Sequence, residues 1–251
     1  MNTALSDWIR RQKICYLCGL GNADTKEHVI PRNLYPEPRK LPSDVLTLPA
    51  HFICNRHTHL HEEAFRDFIA SGISSANPGH ALWSRTWKAL HRPEAKRRQE
   101  SFYKDIISQL KINMQGGSSY VPIAVTLKDE RVHWVLSKII KGLYAHVTGG
   151  LLVDRKLVWS FGQLAQGSRL AVDFPNFYNI HDVLDVRWMI ANDQPLVSLW
   201  VLDFYATQRF HITTIPTELH AQDQWCLDAT QLIWPGPDNR VSHSNEQRET
   251  K

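Results

Sequence analysis

Cys15-Tyr16-Leu17-Cys18, Glu27-His28-Val29-Ile30-Pro31 and His51-Phe52-Ile53-Cys54-Asn55 are the three short stretches on which the reading of this chain turns. Cys15/Cys18 and His51/Cys54 are two ligand pairs with the same two-residue gap. That gap lets one tight turn of backbone deliver two donors to a single ion, and two such pairs close a tetrahedral shell around zinc. Cys15, Cys18, His51 and Cys54 are therefore the expected ligands of a structural Zn2+. A competing fourth ligand is His57, at Cys54-x-x-His57, although its use would wrap the knuckle around Asn55. The loop pinned between the two pairs presents an acid and an imidazole side by side, Glu27 and His28.

Bulk properties set the bounds around this segment. The chain has 251 residues, 43% of them hydrophobic, and a formal net charge of +4. Such a length and composition suit one large or two small globular domains and argue against a disordered chain. No apolar run approaches the roughly 18 residues of a membrane span, and the first residues lack a signal-peptide core, so the expected location is the cytoplasm with no membrane partner. Three of the four cysteines fall in the metal motif, leaving Cys226 to be read as a buried free thiol. The mild basicity permits a polyanionic partner without requiring one.

Working outward, residues 1–12 read as a short helix with Leu5, Trp8 and Ile9 on one side and basic residues on the other. Two extended segments, one entering Val29 and one at Val45–Leu48, are separated by a proline-punctuated loop. Apolar positions from Leu60 to Ile69 recur at helical spacing, and Ser71-Gly72 ends that helix. The Gly/Ser/Asn/Pro-rich join near 71–79 suggests a boundary. Further on, Arg85–Ile112 reads as a helix interrupted at Pro93, and Val132–Val147 as a core helix stopped by Gly149-Gly150, with Lys138 and Lys141 on its wet side. Extended stretches at 151–161, 170–174, 186–191, 196–205 and 210–215 predict an antiparallel sheet. The polar residues 236–251 read as a disordered tail.

Taken together, the Cys-x-x-Cys, the acid-His pair followed by x-x-Pro, and the second knuckle ending in Cys-Asn resemble the zinc-bearing HNH (ββα-metal) endonucleases over about residues 13–70. The resemblance implies an α+β fold in which a zinc-stabilised ββα-metal module (1–75) precedes a mixed helix and antiparallel-sheet domain (76–235), with the tail at 236–251. It implies hydrolysis of phosphodiester bonds, with His28 as the general base that activates a water. Neutral imidazole suits that role, because its pKa lies near operating pH. Asn55, after the last knuckle cysteine, corresponds to a ligand of a catalytic Mg2+ or Mn2+, and Glu27 to a second one. Successive residues of a regular strand point to opposite faces, so Glu27 and His28 serve together only if the backbone twists there. His59 is the candidate for the late helix histidine that some members add to this cation.

The expected partner is nucleic acid, DNA before RNA, with Arg32, Arg56, Lys96, Arg97 and Arg98 as candidate phosphate contacts. Trp83, Trp87, Trp134 and Trp159 read as core rather than as base-stacking surfaces. The C-terminal domain is assigned recognition, homodimerisation or control by an activating protein or ligand, and a defence or mobile-element nuclease fits this layout. The competing reading is a catalytically inactive, zinc-stabilised nucleic-acid-binding module, which needs the four zinc ligands but neither His28 nor Asn55.

Overall fold

The computed structural model describes residues 7–35, 41–72, 79–100, 102–104, 124–126, 129–152, 156–164, 173–223 and 229–234. Leu5, Cys226, most of the join at 71–79, the start of the extended stretch at 170–174 and the tail at 236–251 lie outside them. The fold is mixed α+β with antiparallel sheets. It begins with a short helix α1 (Asp7–Arg11), a two-stranded ribbon of β1 (Thr25–His28) and β2 (Thr47–Ala50), and a long helix α2 (Phe52–Ser71). Helix α3 (His80–Leu90), strand β3 (Ala124–Thr126) and helix α4 (Glu130–Thr148) follow. The chain then runs through β4 (Leu157–Leu164), β5 (Asn176–Ile180), β6 (Leu184–Ile190), β7 (Ser198–Phe204), β8 (Gln208–Pro216), α5 (Thr217–Asp223) and β9 (Ala229–Thr230).

The larger sheet has the order β3-β4-β8-β7-β6-β5, with β9 also on β4, and all its pairings are antiparallel. Strand alternation puts Trp188, Trp200, Ile212 and Phe161 in one cross-strand row, all buried. Two helices cover that face. Phe65 of α2 meets Phe204 edge-on at 5.4 Å, and His133 of α4 stacks on Phe161 at 4.4 Å.

Helix α4 is capped as its sequence demands. The Asp129 carboxylate accepts from the Arg131 N–H at 2.9 Å, and Gly149 takes the left-handed φ of 71° that closes the last turn. Its burial does not follow the expected amphipathic pattern, because α4 lies between the sheet on one side and the ribbon on the other. Residues 135–146 are all buried. Lys138 and Lys141, expected on a wet side, are both fully buried, since α4 has no wet side along that stretch.

Close packing against the ribbon explains Gly142. A Cβ there would lie 2.5 Å from both methyl groups of Val29. Gly142→Ala gains about 1 kcal/mol of helix propensity but costs about 1–3 kcal/mol in overpacking. We expect the clash to win, with the melting temperature lowered by about 2–4 °C in a thermal scan. A more stable variant would show that α4 and the ribbon are not in contact here.

Other expectations need correction. Helix α2 starts at Phe52, well before Leu60, because Asp24 reaches over from the knuckle to accept from the Phe52 N–H at 2.7 Å. Trp8 and Trp87 are 48% and 42% exposed, whereas Trp159 is fully buried. Strand β5 begins at Asn176, after the stretch expected at 170–174, and its mostly exposed side chains carry little alternation signal.

Candidate functional site

The knuckle is built from backbone first. Cys15 N–H donates to the Leu20 carbonyl at 2.8 Å and Gly19 N–H to the Cys15 carbonyl at 2.8 Å, with Gly19 at φ 80° to turn the chain tightly. The Tyr16 N–H ties this turn to the Pro49 carbonyl of β2 at 3.0 Å. The His51 N–H points at the Cys15 sulfur at 3.4 Å. As a result the ligand atoms of Cys15, Cys18, His51 and Cys54 all lie within 4.8 Å of one another, a cluster that can hold a metal such as zinc.

His51 is presented in the required tautomer. Its Nε2 sits 2.8 Å from the Gly21 carbonyl, which can only accept, so Nε2 carries the proton and Nδ1, 3.3 Å from Cys18 Sγ, is free to ligate. His57 is not in the cluster; its ring packs edge-on against Trp134 at 4.4 Å. Hydrogen bonds from Cys18 and Cys54 pull the Cys15 thiol far down. Their bonds with Cys15 push Cys18 and Cys54 up. A bound dication favours the thiolate form of all three.

Next to the cluster, the ribbon and α2 frame a cleft of about 640 Å³. Glu27 and His28 both line it, despite being consecutive at the end of β1. Asn55 sits in the first turn of α2 and lines the same cleft, as do His59, Glu62 and Arg66. Positions 55, 59, 62 and 66 form one face of a helix, so the spacing that exposes Asn55 to the cleft also brings Glu62 there. Glu62 was legible on that spacing and was missed.

Burial lowers the His28 pKa, the Arg32 and Lys138 charges lower it further, and Glu62 opposes them. Burial pushes the Glu27 carboxyl up, while Lys138 pulls it down and Glu62 adds to the rise. The ammonium of Lys138 donates to Oε1 of both Glu27 and Glu62. Lys141, one turn on, donates to the Leu17 carbonyl in the knuckle at 2.7 Å and to the Leu152 carbonyl at 2.8 Å. No local signal marked either lysine; the partners of Lys138 lie 111 and 76 residues away.

Among the expected phosphate contacts, Arg32 is exposed and lines the cleft, joined by Lys26 and Arg85, which sequence reading passed over. Arg56, Lys96 and Arg97 are exposed but do not line it. Arg98 is drawn onto α2 instead, with Nε and Nη2 each 2.8 Å from the Asp67 carboxylate and Glu63 at 3.6 Å. No helix among the described residues is long and apolar enough to cross a membrane. Comparisons with protein-family models, curated proteins and solved structures find no match to this chain.

Proposed function

We propose that this protein is a divalent-metal-dependent HNH endonuclease that hydrolyses phosphodiester bonds in nucleic acid, with DNA the first substrate to test. The observation that carries the reading is the convergence of His28, Asn55 and Glu27 on one cleft beside a Cys3His cluster, framed by an antiparallel ribbon and the helix that follows it. The Asn55 amide oxygen and the Glu27 and Glu62 carboxylates offer the hard donors that Mg2+ or Mn2+ takes. Bound there, such an ion would neutralise charge developing on the phosphate and on the leaving 3′ oxygen.

The chain's own residues supply the rest. His28 accepts a proton from the attacking water, and the forces that depress its pKa keep it neutral and able to do so near neutral pH. Lys26, Arg32 and Arg85 line the cleft and favour an anionic substrate there. The zinc cluster holds the start of α2, and with it Asn55, against the ribbon that carries His28.

Plasmid nicking by the zinc-loaded protein with added Mg2+ or Mn2+ tests this reading. Cutting that depends on the added ion and is lost in Asn55→Ala, with zinc retained, is the expected result. Nucleic-acid binding without cutting on any substrate would favour the zinc-stabilised binding module instead.

The pH profile gives a second check. A base must be deprotonated, so the rate falls as pH drops through the His28 pKa and is level above it. Because that pKa is depressed from its ordinary 6.5, the acid limb should be centred below pH 6.5. An acid limb centred above that value would count against His28 as the base.

A further inference from the structure

Lys138 sits where a nuclease centre of this kind has most need of positive charge. Its side chain is fully buried, the two glutamate side chains are 10% exposed, and its ammonium is shared between Oε1 of Glu27 and Oε1 of Glu62. Two carboxylates converging out of water repel each other and carry a desolvation cost that only a cation in contact with both can offset. Here that cation is covalently part of the chain. It arrives from α4, which packs between the ribbon and the sheet, and is held in place by the packing that buries residues 135–146.

Resting on the nuclease reading above, we propose that Lys138 is a positioning residue of the centre. It is a built-in cation that fixes one oxygen of Glu27 and one of Glu62, leaves each carboxylate its second oxygen, and thereby sets how tightly the centre holds a divalent ion. Glu62 Oε2 lies 3.8 Å from His59 Nδ1, so that second oxygen stands beside another donor of the cleft. The ammonium cancels one of the two carboxylate charges. The pair therefore presents one net negative charge to an incoming ion, which suits a single exchangeable Mg2+ or Mn2+. Other charged and titratable groups lining the cleft are Lys26, His28, Arg32, Glu63, Arg66 and Arg85.

The test is a Mn2+ titration of the full-length, zinc-loaded protein, with free Mn2+ read by its electron paramagnetic resonance signal. Lys138→Met removes the charge while keeping most of the side-chain volume. It should bind Mn2+ at least about tenfold more tightly than wild type, with zinc content unchanged, because the competing ammonium is gone. Lys138→Arg should stay near wild type. Mn2+ affinity in Lys138→Met equal to or weaker than wild type overturns the proposal.

If Lys138→Met loses its zinc or fails to fold, Lys138→Gln, a neutral side chain that can still donate a hydrogen bond to a carboxylate, decides the matter. There the charge is gone while a hydrogen bond remains, and Mn2+ binding should tighten by about tenfold or more. Unchanged affinity overturns the proposal. Wild-type protein that binds no Mn2+, or whose binding ignores Asn55→Ala, brings down the nuclease reading and this inference together. Wild-type binding that depends on Asn55 but ignores Lys138 removes this inference alone.

Discussion

Cys15→Ser is expected to yield protein without stoichiometric zinc and with a melting temperature lowered by about 10 °C or more. Cys15 is fully buried, and its sulfur accepts from the His51 N–H at the point where β2 passes into α2. A serine oxygen is a poor substitute for a thiolate ligand and is too short to close the same cage. Structural zinc contributes on the order of 10–16 kcal/mol in small zinc modules at neutral pH. Whole domains are stable by only about 5–15 kcal/mol, so even a fraction of that loss matters.

The damage should not stay local. Tyr16 and Leu17, between the first two ligands, are fully buried, and the Leu17 carbonyl receives Lys141 from α4. Unravelling the knuckle would take one acceptor from a buried ammonium, a cost of about 1.5–3 kcal/mol in itself. Metal analysis alongside a thermal scan checks the result, and chelation of the wild type should reproduce it. A variant that keeps one zinc per chain and its melting temperature would show that the cluster does not hold a structural ion.

His28→Ala should lower the rate of metal-dependent cleavage by about 100- to 10,000-fold, the usual contribution of a general base, while leaving zinc content intact. The ring is only partly buried at the end of β1. Its removal should therefore cost little stability, about 1 kcal/mol or less. That separation distinguishes a base from a structural histidine. A packing residue would lose stability and keep its rate, whereas a base loses rate and keeps its fold. Single-turnover nicking on supercoiled DNA measures the first quantity and a thermal scan the second. Cleavage within about threefold of wild type would remove His28 from the chemistry, since a base is worth far more than that.

What could be read from the chain was local in sequence. The knuckles are legible because ligands two residues apart are set by one turn, and the structure gathers Cys15, Cys18, His51 and Cys54 accordingly. The ends of α2 at Gly72 and α4 at Gly149 are legible because a cap acts within one turn of itself. Hydrophobic spacing located most of the strands of the larger sheet and α4 for the same reason. It failed where a short-range signal was absent. Strand β5 was missed, and the β5–β6 hairpin turns through left-handed His181-Asp182 with no glycine to mark it; β7 and β8 were read from their spacing although Tyr205-Ala206 turns them in the same left-handed way. Those turns are stabilised from a distance: Tyr205 Oη donates to the Leu34 carbonyl, and His181 Nε2 lies 3.3 Å from Asp44 Oδ1.

The sequence by itself determined the chemistry on offer: a four-donor set for zinc, an imidazole, an amide and a carboxylate at short and readable intervals. Only the tertiary structure decided their surroundings. It brought α4 between the ribbon and the sheet, buried Lys138 and Lys141, and set Glu62 beside Glu27 around one ammonium. It also drew Arg98 away to Asp67. The reason is the range of the forces involved. Ligand spacing, caps and periodicity act within one or two turns of chain, whereas the pairing of a buried charge is settled by whichever partner the packed core brings within reach.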